Sequence, residues 1–251
     1  MEGQALDFDG PYGRDYAAII RRSVPAYDAL LEIAAAALAA MAADAAEVLV
    51  VGPGRGEELP GLLGALPGAR FTLVEPSAAM VEACGGVLTA AGAVQRCRVL
   101  TGRLEDCDDL QPGTFQAVVA LNVLHLLPPQ GQELLLRQLA AAVAPGGSLL
   151  ISGYSEDPDP TTDALLLAVA RSRLLQLGTE PLTVERLLAS RGASVFGIEA
   201  ARLQQVLTAA GLDTPRCLLQ GLATRLWLSR RPDGSGAAPT AAGDGRHQTP
   251  G

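Results

Sequence analysis

The sequence predicts an α/β fold in which a mostly parallel β-sheet is covered by helices on both faces. Two observations support this fold class. Short apolar segments rich in β-branched residues alternate with segments of helical periodicity, and the first apolar segment leads directly into a glycine-rich turn. Strands that alternate with helices in this way form β-α-β units with parallel strands. The chain has 251 residues, of which 49% are hydrophobic, so it can form one large domain.

The segment VLVVGPGRGEE, residues 48–58, is the feature around which the rest of the chain is organised. An apolar strand is followed by Gly52, Gly54 and Gly56 at alternate positions and then by the start of a helix. This arrangement directs backbone N–H groups and a helix N-terminus at a bound ligand. Glycine is required because a Cβ atom would block the turn and hold the ligand away from the backbone. The segment therefore predicts a nucleotide-type cofactor.

The remaining elements follow in alternation and end in a pair of strands. Ser77 stands at the N-cap position of a predicted helix. The tripeptide Pro145-Gly146-Gly147 is expected to end another helix. Strands are predicted at residues 71–74, 98–100, 115–121 and 149–152, with an antiparallel pair at 216–219 and 222–228. Helices are predicted at residues 27–43, 59–66, 133–143, 165–177, 183–190 and 199–210.

Composition excludes several classes of function. The net charge of −8 argues against nucleic acid as a partner, because such proteins need a basic surface to displace counterions. The longest apolar run is well short of the ~20 residues that a membrane span requires. The four cysteines show neither CxxC spacing nor nearby histidines, so we expect no metal site and no disulfide framework. The polar N-terminus is not a signal peptide, and a cytoplasmic location follows as an expectation.

A carboxylate adds to the evidence for a nucleoside ligand. Glu75 ends the second predicted strand, about 20 residues past the turn, where it can accept hydrogen bonds from both hydroxyls of a ribose. Dinucleotide enzymes share both features, so an NAD-dependent oxidoreductase is one alternative. The third glycine at position 56 departs from dinucleotide spacing, and the chain has no lysine for the Tyr/Lys chemistry of such enzymes.

Four sequence blocks together resemble the class I S-adenosylmethionine-dependent methyltransferases: VLVVGPGRG, LVEPSAAMVEAC, ALNVLHLL and APGGSLLIS. They occur in the family's order and spacing over residues 45–153. The segment FDGPYGRDYAAIIRRSVPAYDALLEI, residues 8–33, further resembles the carboxy-S-adenosylmethionine synthase-like branch. The resemblance implies a Rossmann-like seven-stranded sheet with an antiparallel last strand. It also implies a domain over residues 1–231, with an N-terminal helical arm at 1–45 and a helical insertion or lid at 155–198. Residues 232–251 lack periodicity and are predicted to be a disordered tail.

The resemblance implies S-adenosylmethionine as the cofactor. Tyr27 is then expected to bind the methionine carboxylate, Asn122 the methionine end, and Glu75 the ribose hydroxyls. Pro76 is expected to pack near the adenine and Leu104 to offer backbone to the adenine edge. The residues expected to bind the cofactor are Tyr27, Gly52, Pro53, Gly54, Gly56, Glu75, Pro76, Leu104, Glu105 and Asn122.

Two positions depart from the family pattern at the cofactor site. Val50 stands where the family usually has an acid, two residues before the first glycine. Arg103 stands where an acid after the third strand usually binds the adenine amino group, with Glu105 and Asp106 as nearby substitutes.

The function implied is methyl transfer to a small-molecule acceptor, and the acidic net charge favours such an acceptor over a polynucleotide. His125, three residues after Asn122, is the candidate general base, because a neutral imidazole can accept a proton near neutral pH. A histidine buried for structural reasons is the alternative. The resemblance also implies a homodimer.

Two other functions stay open. A synthase that carboxylates S-adenosylmethionine needs an arginine in the inserted helices, where this chain has Leu188 flanked by Arg186 and Arg191. The second open function is a non-catalytic protein that binds S-adenosylmethionine. The departures at Val50 and Arg103 would support it.

Overall fold

The computed structural model describes residues 9–10, 19–44 and 46–234. Within these residues the strands are β1 (Glu47–Val51), β2 (Arg70–Glu75), β3 (Cys97–Thr101), β4 (Phe115–Leu121), β5 (Val143–Tyr154), β6 (Arg216–Gly221) and β7 (Thr224–Arg230). The helices are α1 (Tyr27–Met41), α2 (Leu59–Ala65), α3 (Ala78–Ala90), α4 (Pro129–Ala142), α5 (Pro160–Gln176), α6 (Pro181–Ala189) and α7 (Ala200–Ala209).

The seven strands form one sheet in the order β3-β2-β1-β4-β5-β7-β6. Strands β1 to β5 pair in parallel, and β7 is antiparallel to both β5 and β6. This confirms the predicted Rossmann-like sheet with its antiparallel last strand. The order of the strands reverses between β1 and β4. In open α/β sheets, ligands bind in the crevice beyond the carboxyl ends of the strands at such a switch point.

The central strands are apolar throughout because both of their faces are buried. Val48 and Val50 of β1 pack on one face, against helices α1, α2 and α3. Leu49 and Val51 pack on the other face, against α4 and α7. A strand that is buried on both sides reads as a continuous apolar run rather than an alternating one. Val50, at the position where the family usually has an acid, is fully buried in this core.

The structure corrects one predicted element. Pro145-Gly146-Gly147 does not end a helix, since α4 ends at Ala142 and β5 begins at once with Val143. Val143 pairs with Phe115, but the next pair joins Ser148 to Ala117, so the intervening residues bulge out of the ladder. Gly146 has φ +76° in this bulge, a conformation that glycine adopts without strain. The tripeptide therefore interrupts a strand instead of separating a helix from one.

The inserted helices α5 and α6 follow β5 and pack on each other. Asp159 caps α5, and its side chain accepts hydrogen bonds from the backbone N–H groups of Thr161 and Thr162. None of the helices in the described ranges is long and apolar enough to cross a membrane. The arm predicted at residues 1–45 is described only in part, and the tail predicted at 232–251 lies outside the described residues from position 235 onward.

Candidate cofactor and acceptor site

Three adjoining cavities lie at the carboxyl ends of the parallel strands. The first, the glycine-turn cavity, is lined by residues that include Tyr27, Gly54 and Glu75. The second, the β3-side cavity, shares Gly52, Pro76, Val123 and Leu126 with the first. The third, the insertion cavity, lies between residues 19–25, strand β5 and the insertion. It shares Asn122 with the glycine-turn cavity.

The three glycines of the turn differ in what surrounds them. A Cβ on Gly52 would lie 2.5 Å from Cγ2 of Val123, and one on Gly56 would lie 2.9 Å from Cδ1 of Leu59. A Cβ on Gly54 would meet no heavy atom within 4 Å among the described residues, so this position faces open space. All three have positive φ, which favours glycine. Gly54 thus borders the cavity directly, whereas Gly56 allows the turn to pack on α2.

Glu75 is held in place by the backbone around it. Its carboxylate accepts hydrogen bonds from the N–H of Gly54 at 2.9 Å and from the N–H of Ser77 at 3.0 Å. Burial raises the pKa of this carboxyl, and the two N–H groups oppose that shift. Each carboxylate oxygen keeps a further lone pair for a ligand. Ser77 caps α3, and its hydroxyl donates to Asp9 at 2.6 Å, which brings one described residue of the arm beside the cavity.

Asn122 combines two unusual features at the junction of two cavities. Its backbone has φ +57°, and its side-chain Oδ1 is buried without a hydrogen-bond partner among the described residues. Its N–H donates to the carbonyl oxygen and the hydroxyl of Ser152, which fixes the strained backbone. Strained residues and unpaired buried polar atoms concentrate at functional sites. Asn122 therefore presents a free acceptor atom to a ligand.

Tyr27 is the first residue of α1 and is almost fully buried. Burial raises the pKa of its phenol, so the hydroxyl keeps its proton and can donate a hydrogen bond. The preceding Ala26 has φ +58°, a strained conformation, and lies between Tyr27, which lines the glycine-turn cavity, and Pro25, which lines the insertion cavity.

The β3-side cavity contains the predicted adenine residues. Leu104 and Glu105 line it together with Arg103. Arg103 forms an exposed ion pair with Glu105 at 3.6 Å, which contributes little because both groups are solvated. The carboxylate of Asp106 accepts a hydrogen bond from the Arg103 N–H and so caps the short 3-10 helix Leu104–Asp106. Of the two acids near this position, Glu105 is the one that faces the cavity.

The insertion cavity has an apolar lining with few polar groups. His125 lines this cavity, and its Nδ1 atom is buried with no hydrogen-bond partner in the described part of the chain. Burial lowers the pKa of this imidazole to about 4, so it is neutral at physiological pH. The apolar lining residues are Ile19, Ile20, Val24, Pro25, Leu166, Leu167, Ala170, Leu174, Leu187, Leu188, Val195, Leu222 and Ala223.

Arg191 is the charged side chain among the described residues of the insertion cavity, and its charge is neutralised. Its guanidinium forms an ion pair with Asp163 at 2.7 Å and lies 3.8 Å from Glu156. It also donates a hydrogen bond to the hydroxyl of Tyr154 and lies over that residue's ring. Arg186, the other arginine of the insertion considered above, is exposed. The insertion cavity therefore presents a neutral, apolar surface to an acceptor.

The structure brings together most of the residues that the sequence indicated. The glycine-turn cavity gathers Tyr27, Gly52, Pro53, Gly54, Glu75, Pro76 and Asn122. Leu104 and Glu105 border the β3-side cavity, and Gly56 packs behind the turn. Sequence reasoning missed Glu58, which lines the glycine-turn cavity although it is buried. The two acidic residues directly after the last glycine of the turn were the available signal.

Glu58 leads to a prediction about the free protein. Burial raises the pKa of its carboxyl from 4.5 to about 8. Between these values the folded protein keeps a proton that the unfolded chain has lost. The free energy of unfolding should therefore fall as pH rises from about 5 to about 8, by up to about 1.4 kcal/mol per pH unit, and level off above. Urea denaturation of the wild type and of Glu58→Gln across this range checks it, because the variant should lack this decline. Parallel pH profiles would contradict it.

Comparison with known proteins agrees with this geometry. Residues 48–147 match the family described as a methyltransferase domain. A mitomycin biosynthesis 6-O-methyltransferase of Streptomyces lavendulae is 31% identical over 123 residues, which are 49% of this chain and 34% of that protein. A carboxy-S-adenosyl-L-methionine synthase of Pseudomonas putida is 32% identical over 138 residues, which are 53% of this chain and 56% of that protein. This chain thus matches about a third of one relative's length and about half of the other's.

A solved structure extends the likeness to almost the whole fold. It is the 1,6-didemethyltoxoflavin-N1-methyltransferase of Burkholderia thailandensis with bound 1,6-didemethyltoxoflavin and S-adenosylhomocysteine. The TM-score is 0.59 at 18% sequence identity, with 90% of this chain and 88% of that chain covered. At this identity the likeness concerns the fold alone. The match of residues 48–147 to a methyltransferase domain supports a class I S-adenosylmethionine-dependent methyltransferase over the oxidoreductase alternative.

Proposed function

We propose that this protein binds S-adenosylmethionine in the glycine-turn and β3-side cavities and transfers its methyl group to a small molecule in the insertion cavity. The observation that carries the proposal is Asn122, a strained residue with an unpaired, buried acceptor atom where the two cavities meet. A cofactor on one side and an acceptor on the other would come into contact at this residue.

The residues present fit such a cofactor. Glu75 would accept hydrogen bonds from the ribose hydroxyls, since its Oε2 already accepts from Gly54, its Oε1 accepts from Ser77, and both oxygens keep free lone pairs. Tyr27 would donate to the methionine carboxylate through a hydroxyl that stays protonated. The open space at Gly54 would let the ligand approach the backbone closely. Leu104 and Glu105 would border the adenine.

The cofactor, when bound, supplies an electrophilic methyl group, and what remains for the protein is alignment and removal of a proton. His125 is neutral because burial lowers the pKa of its imidazole to about 4, and its Nδ1 has no partner in the described residues. It can therefore accept the proton of a hydroxyl or N–H group. The unpaired Oδ1 of Asn122 is likewise a hydrogen-bond acceptor at the junction of the two cavities, so the two atoms favour an acceptor molecule that carries a proton.

The lining of the insertion cavity favours an acceptor that is apolar and carries no net charge. Its described residues are mainly aliphatic, and the guanidinium of Arg191 is paired with Asp163. The same ion pair weighs against the synthase of carboxylated S-adenosylmethionine. That reaction needs an arginine that is free to bind a carboxylate. Leu188 lines the cavity at the expected position, and Arg191 is already paired with Asp163. We further propose a cytoplasmic location, which the four free cysteines support. The homodimer stays a prediction.

Replacing Glu75 by alanine tests the cofactor half of the proposal. The variant loses the acceptor for the ribose hydroxyls and leaves the N–H groups of Gly54 and Ser77 without their partner. We expect S-adenosylmethionine binding to weaken by about 1–3 kcal/mol, measured by isothermal titration calorimetry. Glu82→Ala, which removes an exposed glutamate from α3, is the matched control and should bind normally. Equal affinities of the two variants would contradict the role of Glu75.

The proposal as a whole is tested by incubating the protein with isotope-labelled S-adenosylmethionine and a panel of small hydroxyl- and N–H-bearing aromatic compounds. Mass spectrometry should detect a labelled methyl group on at least one neutral, apolar compound. Formation of a carboxylated sulfonium instead would favour the synthase. Binding of S-adenosylmethionine without any transfer across a broad panel would favour a non-catalytic binding protein.

A further inference from the structure

Three glutamates line the glycine-turn cavity, and two of them have partners. Glu75 accepts the two backbone hydrogen bonds described above. Glu57 forms an ion pair with Arg21 at 2.7 Å. Glu58, at the start of α2, is 7% exposed and has no ion pair with any described residue. Of the three, Glu58 is the carboxyl without a partner on another described residue, and its own backbone N–H is the group that offsets its charge.

The surroundings of Glu58 contain negative or neutral titratable groups. Glu57 and Glu75 lie on its own turn and at the end of β2, Tyr27 lies on α1, and Cys84 faces it from α3. The charge of Arg21 is already used by Glu57, and Arg55 lines the same cavity without a salt bridge to Glu58. A buried carboxylate without a counter-ion is costly, so the group keeps its proton, with a pKa of about 8.

The position of Glu58 also bears on the departure at Val50. The acid usual in the family is replaced there by a valine that is fully buried in the core and lines none of the three cavities. The turn thus lacks a carboxyl at position 50, before the first glycine. It has a carboxyl at Glu58, two residues after the last glycine.

From this geometry we infer that Glu58 is the counter-ion of the ammonium group at the methionine end of the cofactor, in place of the acid missing at position 50. The inference rests on the proposed function. The free protein holds the neutral acid, and an incoming ammonium group favours the carboxylate. The O–H bond of Glu58 breaks, its proton passes to the solvent, and an ammonium–carboxylate pair forms. Binding is therefore coupled to the release of one proton.

Calorimetry in several buffers of different ionisation enthalpy measures this release. Three ligands separate the charges: S-adenosylmethionine, S-adenosylhomocysteine, which lacks the sulfonium charge, and 5′-methylthioadenosine, which lacks the amino-acid end. At about pH 7 the first two should release about one proton per site and the third none. As pH rises towards the pKa of Glu58, the Kd of S-adenosylhomocysteine should fall by up to about tenfold for each pH unit.

Two variants locate the proton. Glu58→Gln resembles the neutral form of the wild type, so it should fold normally, release no proton and bind S-adenosylhomocysteine about 10- to 100-fold more weakly. Glu82→Gln makes the same chemical change at an exposed glutamate of α3, outside the cavity, and should keep the proton release. If Glu58→Gln does not fold, the comparison of the three ligands on the wild type still decides.

The outcomes distinguish this inference from the proposed function. Binding of S-adenosylhomocysteine with no proton release would overturn the role of Glu58 and leave the cofactor assignment intact. Release with S-adenosylmethionine but not with S-adenosylhomocysteine would assign the charge to the sulfonium and overturn the ammonium pairing. Failure of the wild type to bind either ligand would overturn both proposals.

Discussion

Replacing Gly54 by valine should abolish binding of S-adenosylmethionine, with a loss of about 100-fold or more in affinity. The added side chain would project into open space that a ligand needs, since no described heavy atom lies within 4 Å of the Cβ position. The N–H of Gly54 also holds Glu75, so a shift of the turn would disturb two contacts at once. Isothermal titration calorimetry measures the loss.

A second glycine provides the control for this variant. Gly54 has φ +54°, so valine there should cost about 1–3 kcal/mol of stability through backbone strain alone. Gly92, in the turn after α3, has φ +62° and likewise no described heavy atom within 4 Å of its Cβ position. Gly92→Val should therefore show a similar stability loss by thermal unfolding and unchanged binding. Normal binding by folded Gly54→Val would contradict the location of the cofactor.

Replacing His125 by alanine should lower turnover by about 100- to 10,000-fold, the range for loss of a general base. Cofactor binding should change little, because His125 lines the insertion cavity rather than the glycine-turn cavity. Single-turnover kinetics with the acceptor found in the screen would separate the two effects. His125→Gln keeps a polar side chain of similar reach but cannot act as a base, so it should be as slow as the alanine variant.

The pH profile adds a condition to this prediction. A base works in its unprotonated form, and the pKa of His125 is lowered to about 4. Activity limited by this group should therefore be constant from about pH 9 to pH 6 and decline only as pH falls towards 4. Full turnover in His125→Ala, or an inflection near pH 6.5 that the variant removes, would contradict this account of the base.

Much of the fold follows from local sequence signals. Strand β4 was predicted with its observed bounds, because six of its seven residues are apolar and a Pro-Gly turn precedes them. The N-cap at Ser77 was confirmed, since a serine side chain at that position bonds the N–H of Met80. The bulge in β5 was not foreseen. Pro145-Gly146-Gly147 is a helix-ending signal locally, and only the pairing of β5 with β4 makes it part of a strand.

The lining of the glycine-turn cavity was predicted where local backbone geometry places a residue there, and it was missed where tertiary packing does. Gly54 and Glu75 are signalled by their spacing within one β-α-β unit, which is local in sequence. Glu58 has no ion pair among the described residues because Arg21 pairs with Glu57. That contact joins the segment before α1 to the glycine turn, which are distant in sequence. The ion pair of Arg191 with Asp163 joins the segment after α6 to α5, and spacing alone cannot reveal it.

The central claim is that the cleft at the switch point between β1 and β4 binds S-adenosylmethionine. Calorimetric titration of the purified wild-type protein with S-adenosylmethionine, with Gly54→Val as the paired sample, tests it most directly. We expect saturable binding at one site per chain in the wild type and no measurable binding in the variant. Absence of binding in the correctly folded wild type, or equal binding in both proteins, would contradict it.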